Sequence, residues 1–228
     1  MEFFFSSCAG VDVTANQDEA SDHETFQLEF DTCTRRWYIR TMKDKYWTLE
    51  TACGIQAISD KRSSNALFEL TWLECGSVAF RANNGKYVTI KKSGHLFANC
   101  ESIEDNAKFF FELVNRPVLV LKCEQGFVGS KSGSSTALEC NKASYDVIHV
   151  EKGTNGVVFF KGSNGKYWKI SSSGMSCDGE SPEGFYLQLV EPSRLCIKNM
   201  EGSYLVAEKN GVFRFGSSDF EQATQWEY

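Results

Sequence analysis

Apolar and polar residues alternate in short runs along the whole chain, and no segment sustains the 3.6-residue period of a helix. Val78-Ala79-Phe80-Arg81, Val157-Val158-Phe159-Phe160 and Leu195-Cys196-Ile197-Lys198 are such runs. Each leads into a turn, and an aromatic residue then opens the next strand. The phrase Asn83-Asn84-Gly85-Lys86-Tyr87-Val88-Thr89 returns as Ser163-Asn164-Gly165-Lys166-Tyr167-Trp168-Lys169. Weaker copies are Lys43-Asp44-Lys45-Tyr46-Trp47-Thr48, Glu124-Gln125-Gly126-Phe127-Val128-Gly129 and Glu201-Gly202-Ser203-Tyr204-Leu205-Val206. The anchor aromatics Tyr46, Tyr87, Phe127, Tyr167 and Tyr204 are spaced by 41, 40, 40 and 37 residues. A fixed period of this size marks a structural repeat.

Each copy carries the punctuation of a four-strand unit. Asn-Gly and Gly-Lys supply the positive φ of a tight hairpin turn. A second glycine (Gly54, Gly94, Gly174, Gly211) precedes a third strand such as His95-Leu96-Phe97-Ala98 or Val212-Phe213-Arg214-Phe215. A closing apolar segment follows a polar loop, as in Leu67–Trp72, Phe109–Leu113 and Phe185–Leu189. Three such repeats closing a barrel make a β-trefoil, so the chain reads as all-β with two tandem trefoils.

Asn115-Arg116-Pro117 is the clearest boundary, because proline cannot donate within a central strand. Three repeats follow it, at roughly 117–152, 156–191 and 194–228. Two complete repeats precede it, at roughly 36–73 and 75–114. Ahead of them Val11–Asn16 and Phe26–Phe30 read as a third and a fourth strand, with an acidic loop between. The expected division is a segment outside the pattern at 1–10, a trefoil lacking its opening strands at 11–114, and a complete trefoil at 115–228. Residues 2–7 offer material for one short strand in the gap, with Phe3 and Phe5 on one face and Phe4 on the other.

Composition narrows the class. A hydrophobic fraction of 42% and an aromatic fraction of 14% suffice for packed cores. The formal net charge of −6 argues against a general nucleic-acid binder. No apolar run approaches the ~18 residues of a membrane span. No Asn-x-Ser/Thr sequon occurs, and the start lacks the basic region of a signal peptide. Nine cysteines stand about 20 residues apart, with no Cys-x-x-Cys pair. That spacing suits neither zinc nor a disulfide scaffold, and predicts free buried thiols in a reducing cytoplasm. His23, His95 and His149 sit in dissimilar contexts, and no nucleophile elbow, zinc-helix motif or phosphate loop is present. The expectation is a non-enzymatic protein without catalytic residue, metal or cofactor. The acidic run Asp18, Glu19, Asp22 and Glu24 lacks EF-hand spacing and reads as a solvated loop. No glutamine is followed two residues later by tryptophan, as a sugar-binding trefoil would require. Trp47, Trp72, Trp168 and Trp226 read as repeat-equivalent packing residues.

From Val11 to Tyr228 the sequence resembles the fascin family of actin-bundling proteins, which are built from four β-trefoils. The resemblance rests on Ala15-Asn16-Gln17-Asp18-Glu19, Glu24-Thr25-Phe26-Gln27-Leu28-Glu29 and Lys45-Tyr46-Trp47-Thr48-Leu49. It continues through Ser144-Tyr145-Asp146-Val147, Gly165-Lys166-Tyr167-Trp168 and the closing Trp226-Glu227-Tyr228. It implies trefoils three and four, a cytoplasmic location on the actin cytoskeleton, F-actin as partner and a monomer.

Actin is acidic, so its binders present local lysine and arginine. Arg81, Lys86, Lys91 and Lys92 form the densest basic stretch, and Arg40, Lys43 and Lys45 occupy the equivalent turn of the preceding repeat. A solvated charged face is the plain alternative for these residues. The resemblance implies that Arg40, Lys45, Arg81, Lys86 and Lys91 lie on an actin-contacting face. Lys131 keeps a basic position in the next trefoil, and Lys209 lies near a second. Gln125 and Val206 stand where the family pattern has histidine and lysine. The expected function is therefore filament binding with weak bundling. The alternative is a scaffold or interaction module without actin affinity.

Overall fold

The structure, a computed structural model, describes residues 4–7, 11–17, 21–114, 116–134 and 136–228, with the side chain of Phe4 outside that description. Its contacts divide the chain into two compact units, Met1–Leu73 with Ser77–Phe110 and Glu74–Gly76 with Phe111–Tyr228. All regular structure among the described residues is strand, apart from single 3-10 turns of three residues.

The first unit contains β1 (Phe4–Ser6), β2 (Thr14–Gln17), β3 (Phe26–Asp31), β4 (Arg36–Thr41), β5 (Tyr46–Leu49) and β6 (Ile55–Ser59). It continues with β7 (Glu69–Trp72), β8 (Ser77–Arg81), β9 (Tyr87–Ile90), β10 (Leu96–Cys100) and β11 (Phe109–Phe110). Alternation decides which residues turn inward: Trp37, Ile39 and Thr41 of β4 are buried while their neighbours are not. The hairpins β1–β2, β5–β6 and β9–β10 meet edge to edge through the bridges Asp12 to Gln56, Thr14 to His95 and Gly54 to Phe97. The remaining strands pair in sequence: β3 with β4, Trp37 with Phe68 beside β7, β7 with β8, and β8 with β11.

The second unit contains β12 (Val118–Leu119), β13 (Lys122–Cys123), β14 (Gly126–Ser130), β15 (Leu138–Lys142), β16 (Ile148–Lys152), β17 (Val157–Lys161) and β18 (Tyr167–Ser171). It ends with β19 (Gly174–Gly179), β20 (Gly184–Glu191), β21 (Arg194–Asn199), β22 (Leu205–Ala207), β23 (Phe213–Phe215) and β24 (Trp226–Glu227). Its barrel closes. Starting at β12, pairing runs through β16, β17, β20, β21 and β24 to β13, in the same segment as β12. Phe160 stacks on Phe185 with ring centroids 5.3 Å apart and lies tilted against Trp168, which meets Phe213 edge-on, as Phe213 in turn meets Trp226.

The first unit lacks that closure. Among the described residues β3 is paired only with β4, and β11 only with β8. Among the described residues no first strand joins β3 to β11. Phe4–Ser6 supplies the one short strand expected for the gap, as the second strand of the repeat rather than its first. Phe4 pairs with Gln17, Phe5 with Ala15 and Ser6 with Thr14, with a bulge after Phe4. Tyr46, Trp47 and Thr48 pair with Ser59, Ala57 and Gln56 across the same bulge. Phe4-Phe5-Ser6 is thus the second strand of the first repeat, in the register of Tyr46-Trp47-Thr48. The Phe5 ring lies 5.4 Å from Trp47, 6.4 Å from Phe80 and 4.8 Å from Phe109, each edge-on. Phe3 falls outside the described residues.

Two further expectations need correction. Trp47 and Trp168 are equivalent second-strand residues, whereas Trp72 and Trp226 lie on fourth strands, and Trp226 pairs with Leu195. Trp37 is buried as well, on a first strand. Of the eight cysteines described, only Cys123, Cys140, Cys177 and Cys196 are buried, while Cys33 and Cys75 are exposed. Cys33 and Cys75 sit in turns flanking strands, where the alternation that buries strand residues does not act. Cys8 lies outside the described residues.

Candidate functional site

The basic residues are placed by a device that recurs in the repeats. A basic residue at or next to the end of a first strand sets its cation over the anchor aromatic of the second strand. Arg81 lies 5.9 Å from the Tyr87 ring centre, Lys122 5.8 Å from Phe127, Lys161 4.6 Å from Tyr167 and Lys198 4.6 Å from Tyr204. The anchor hydroxyl donates to an acceptor on the fourth strand of the preceding repeat. Tyr46 reaches Glu29 at 2.9 Å, Tyr167 reaches Glu151 at 2.7 Å and Tyr204 reaches Gln188 at 2.7 Å.

Glu29 is the most elaborate of these acceptors. Arg62 donates to its Oε2 from Nε at 3.1 Å and from Nη2 at 2.6 Å, and Arg40 Nη1 lies 3.4 Å from Oε1. Burial pushes this carboxyl upward, but Arg62, the Tyr46 hydroxyl and Arg40 outweigh it and hold the group below its ordinary range. Glu151 is lowered as well, first by the Tyr167 hydroxyl and then by Lys161.

This network accounts for many of the cations singled out in the sequence. Arg40 is paired with Glu29 and, at 2.7 Å, with Asp44. Lys45 is paired with Asp60, and Lys86 with Glu101. Arg81 donates from Nε to the Gly85 carbonyl at 2.9 Å and lies 3.8 Å from Glu69. Lys131 lies 3.4 Å from Glu139. The other four have no carboxylate partner among the described residues. Lys43 is exposed in the turn between β4 and β5. Lys91 and Lys92 are exposed in the turn between β9 and β10, with Lys91 Nζ 6.0 Å from the Phe97 ring centre. Lys209 is exposed in the turn between β22 and β23. Of the basic candidates in the first unit, Lys43, Lys91 and Lys92 are thus the ones without a carboxylate partner among the described residues.

Sequence reasoning passed over Arg62, Lys122, Lys161 and Lys198. A signal for three of the paired cations was present. Arg81, Lys161 and Lys198 each precede their anchor tyrosine by six residues, as does Arg40.

Comparison with known proteins gives this arrangement its family. The family model described as "Fascin domain" matches residues 1–111 and 124–228. The chain belongs to the fascin family. The first match begins at residue 1 and includes the strand formed by Phe4-Phe5-Ser6. Fascin-2 from Bos taurus is 38% identical over 220 residues, covering 96% of this chain and 44% of that protein. Fascin-2 from Homo sapiens is 37% identical over 220 residues, with the same two coverages of 96% and 44%. A fascin from Strongylocentrotus purpuratus is 34% identical over 221 residues, covering 92% of this chain and 42% of that protein. The chain therefore spans less than half the length of these relatives. With the fold described above, family membership makes the two units β-trefoils.

Proposed function

We propose that this fascin-family chain is a non-enzymatic actin-filament-binding protein of the cytoplasmic cytoskeleton. On this reading the first unit, with β1 as the second strand of its first repeat, and the second unit correspond to the third and fourth trefoils of a fascin. The observation that carries the proposal is the family match across both units. Bundling requires two filament sites on one rigid body, and family sites draw on several trefoils. A chain with two trefoils is then expected to bind filaments weakly as a monomer and to bundle them poorly. Filament contacts are assigned in the first unit to Lys43, Lys91 and Lys92, with the paired Arg40, Lys45, Arg81 and Lys86, and in the second unit to Lys209, with the paired Lys131.

A second reading has its own support. Five of the nine basic candidates are matched by carboxylates or carbonyls within the fold. Compensated charge of this kind favours a scaffold or interaction module without actin affinity. Co-sedimentation separates the readings. High-speed pelleting of the chain with filaments, and little pelleting at low speed, is the expected pattern. Efficient low-speed pelleting would overturn the weak-bundling part. No pelleting at either speed would replace the proposal with the scaffold reading.

A further inference from the structure

Four Asn-Gly pairs lie in turns of the chain: Asn84-Gly85, Asn155-Gly156, Asn164-Gly165 and Asn210-Gly211. Such pairs are chemically labile, because asparagine is a thermolabile residue and a following glycine leaves the next backbone nitrogen without steric cover. The fold places three of them alike and one differently. Gly85, Gly165 and Gly211 each close their turn, donating their N–H to the Ala82, Gly162 and Glu208 carbonyls at 2.9, 3.0 and 3.0 Å. The asparagine side chains before them are held as well. Asn84 Nδ2 donates to the Ala98 carbonyl and Asn164 Nδ2 to the Cys177 carbonyl, each at 2.9 Å, and Asn210 Oδ1 accepts from the Val212 amide at 2.9 Å.

Asn155-Gly156 stands at the centre of its turn instead. The Val157 N–H donates to the Thr154 carbonyl at 3.1 Å, and both residues between have positive φ, +54° at Asn155 and +71° at Gly156. This is the mirror-image hairpin turn that joins β16 to β17. The bond across it uses the Val157 amide, so the Gly156 amide takes no part. Among the described residues no backbone carbonyl accepts the Gly156 N–H. Asn155 is exposed, and Gly156, though buried, lines a groove of about 300 Å³ beside Lys152 and Val157.

We propose that Asn155 is a site of spontaneous deamidation, which converts ahead of the other three Asn-Gly pairs because its turn leaves the attacking nitrogen unengaged. Hydroxide removes the Gly156 amide proton. The nitrogen then attacks Asn155 Cγ; an N–C bond forms, the Cγ–Nδ2 bond breaks, and the side-chain nitrogen leaves as ammonia with a proton from water. The product is a cyclic imide. Water adds to one of the two imide carbonyls, and the bond from that carbon to nitrogen breaks. Opening at Cγ leaves aspartate, and opening at the backbone carbonyl leaves isoaspartate. No electrons are exchanged, and one water enters for each ammonia released. At the other three pairs the nitrogen must first leave its turn bond, and the side chain must leave its own. Isoaspartate runs the backbone through the side chain, so the β16–β17 turn gains a backbone atom and a carboxylate.

Peptide mapping tests this on the full chain. The protein is incubated in mildly alkaline buffer at physiological temperature, sampled over days, digested at acid pH and analysed by mass spectrometry. Isoaspartate is identified by methylation with an isoaspartyl methyltransferase and labelled S-adenosylmethionine. In the folded chain the Asn155 peptide is expected to convert roughly tenfold ahead of those carrying Asn84, Asn164 and Asn210, the factor for an amide that has no hydrogen bond to surrender. In urea, where the turns are lost, the four are expected to convert at similar rates. If Asn155 converts no faster than the other three in the folded chain, the proposal is overturned. The same lead for Asn155 in urea overturns it equally, because the flanking sequence then sets the order and not the turn. No substitution is needed, so a failure to fold cannot mimic either result.

Discussion

Replacing Phe5 by alanine tests whether the opening strand is part of the first unit's core. The ring makes three edge-on contacts, with Trp47, Phe80 and Phe109, yet the residue is only half-buried. Truncating a fully buried phenylalanine costs about 3–5 kcal/mol. Halving the burial brings that figure to about 1.5–2.5 kcal/mol, which already contains most of the loss of the ring contacts, and the edge-on geometry adds about 0.5 kcal/mol in all. The balance for Phe5→Ala is about 2–3 kcal/mol of lost stability in the first unit. At 1.4 kcal/mol per tenfold, that is a roughly 30- to 100-fold faster opening. Native-state hydrogen exchange reads it directly, because it reports each unit separately where one melting temperature would not. Amides of β5, β8 and β11 are expected to accelerate by that factor, with β17, β20 and β21 unchanged. Phe5→Leu, which supplies the leucine that Leu205 provides at the equivalent position, is expected to fall between wild type and alanine. If β5 and β8 in Phe5→Ala stay within about twofold of wild type, the opening strand is a surface attachment and the packing argument fails.

Other consequences are equally direct. Lys91→Glu with Lys92→Glu is expected to weaken filament co-sedimentation several-fold and flatten its salt dependence, because exposed charges steer over a screening length of about 10 Å at 0.1 M salt. Lys86→Glu with Lys45→Glu is expected to weaken it less, since both lysines are already paired; the reverse ranking would reject the assignment of the free lysines. Glu29→Gln probes the anchor network through pH. The native carboxyl of Glu29 is held below its ordinary value, so its stabilisation is fully present above the unfolded glutamate pKa of about 4.3 and fades as pH falls through the native value. Urea titrations of the first unit should show a gap between wild type and Glu29→Gln at pH 7 that closes on acidification below that point. A gap that stays constant down to pH 3 would mean that Glu29 acts through packing alone.

The repeat was legible because a trefoil repeats its demands. Each second strand needs an aromatic at its start and a turn before it, and the spacing of Tyr46, Tyr87, Phe127, Tyr167 and Tyr204 records both. The opening of the first repeat was legible only in part. The Phe alternation of residues 2–7 offered one short strand for the gap, but without tyrosine, tryptophan or a preceding glycine turn nothing local showed it to be the second strand of the repeat. The charge pairs were hidden because antiparallel register joins residues far apart in sequence. Tyr46 faces Ser59, Tyr87 faces Cys100 and Tyr167 faces Gly179. The lysine just before each anchor therefore faces the acid just after the third strand. These are the pairs Lys45 with Asp60, Lys86 with Glu101 and Lys166 with Glu180.

That register supplies a way to separate architectural charge from free charge. A lysine that recurs at the same place in several repeats, each time with its acid, belongs to hairpin closure and offers little to a partner. Departures from the repeat carry the other kind of information. In two repeats the residue three before the anchor tyrosine is asparagine, and its side chain pins the turn. Asn84 accepts from the Lys86 amide at 3.1 Å and donates to the Ala98 carbonyl at 2.9 Å. Asn164 accepts from the Lys166 amide at 3.0 Å and donates to the Cys177 carbonyl at 2.9 Å. The same place in the preceding repeat is Lys43, which makes neither bond, and the turn is held instead by the Thr41 hydroxyl accepting from the Lys45 amide at 3.2 Å. Lys92 and Lys209 likewise share one position in the turn after the second strand, where the other repeats have Thr51, Ser132 and Ser172. The fold asks for lysine at none of these places. On the proposed reading, these unpaired and exposed lysines are the residues that would act by long-range attraction to an acidic filament.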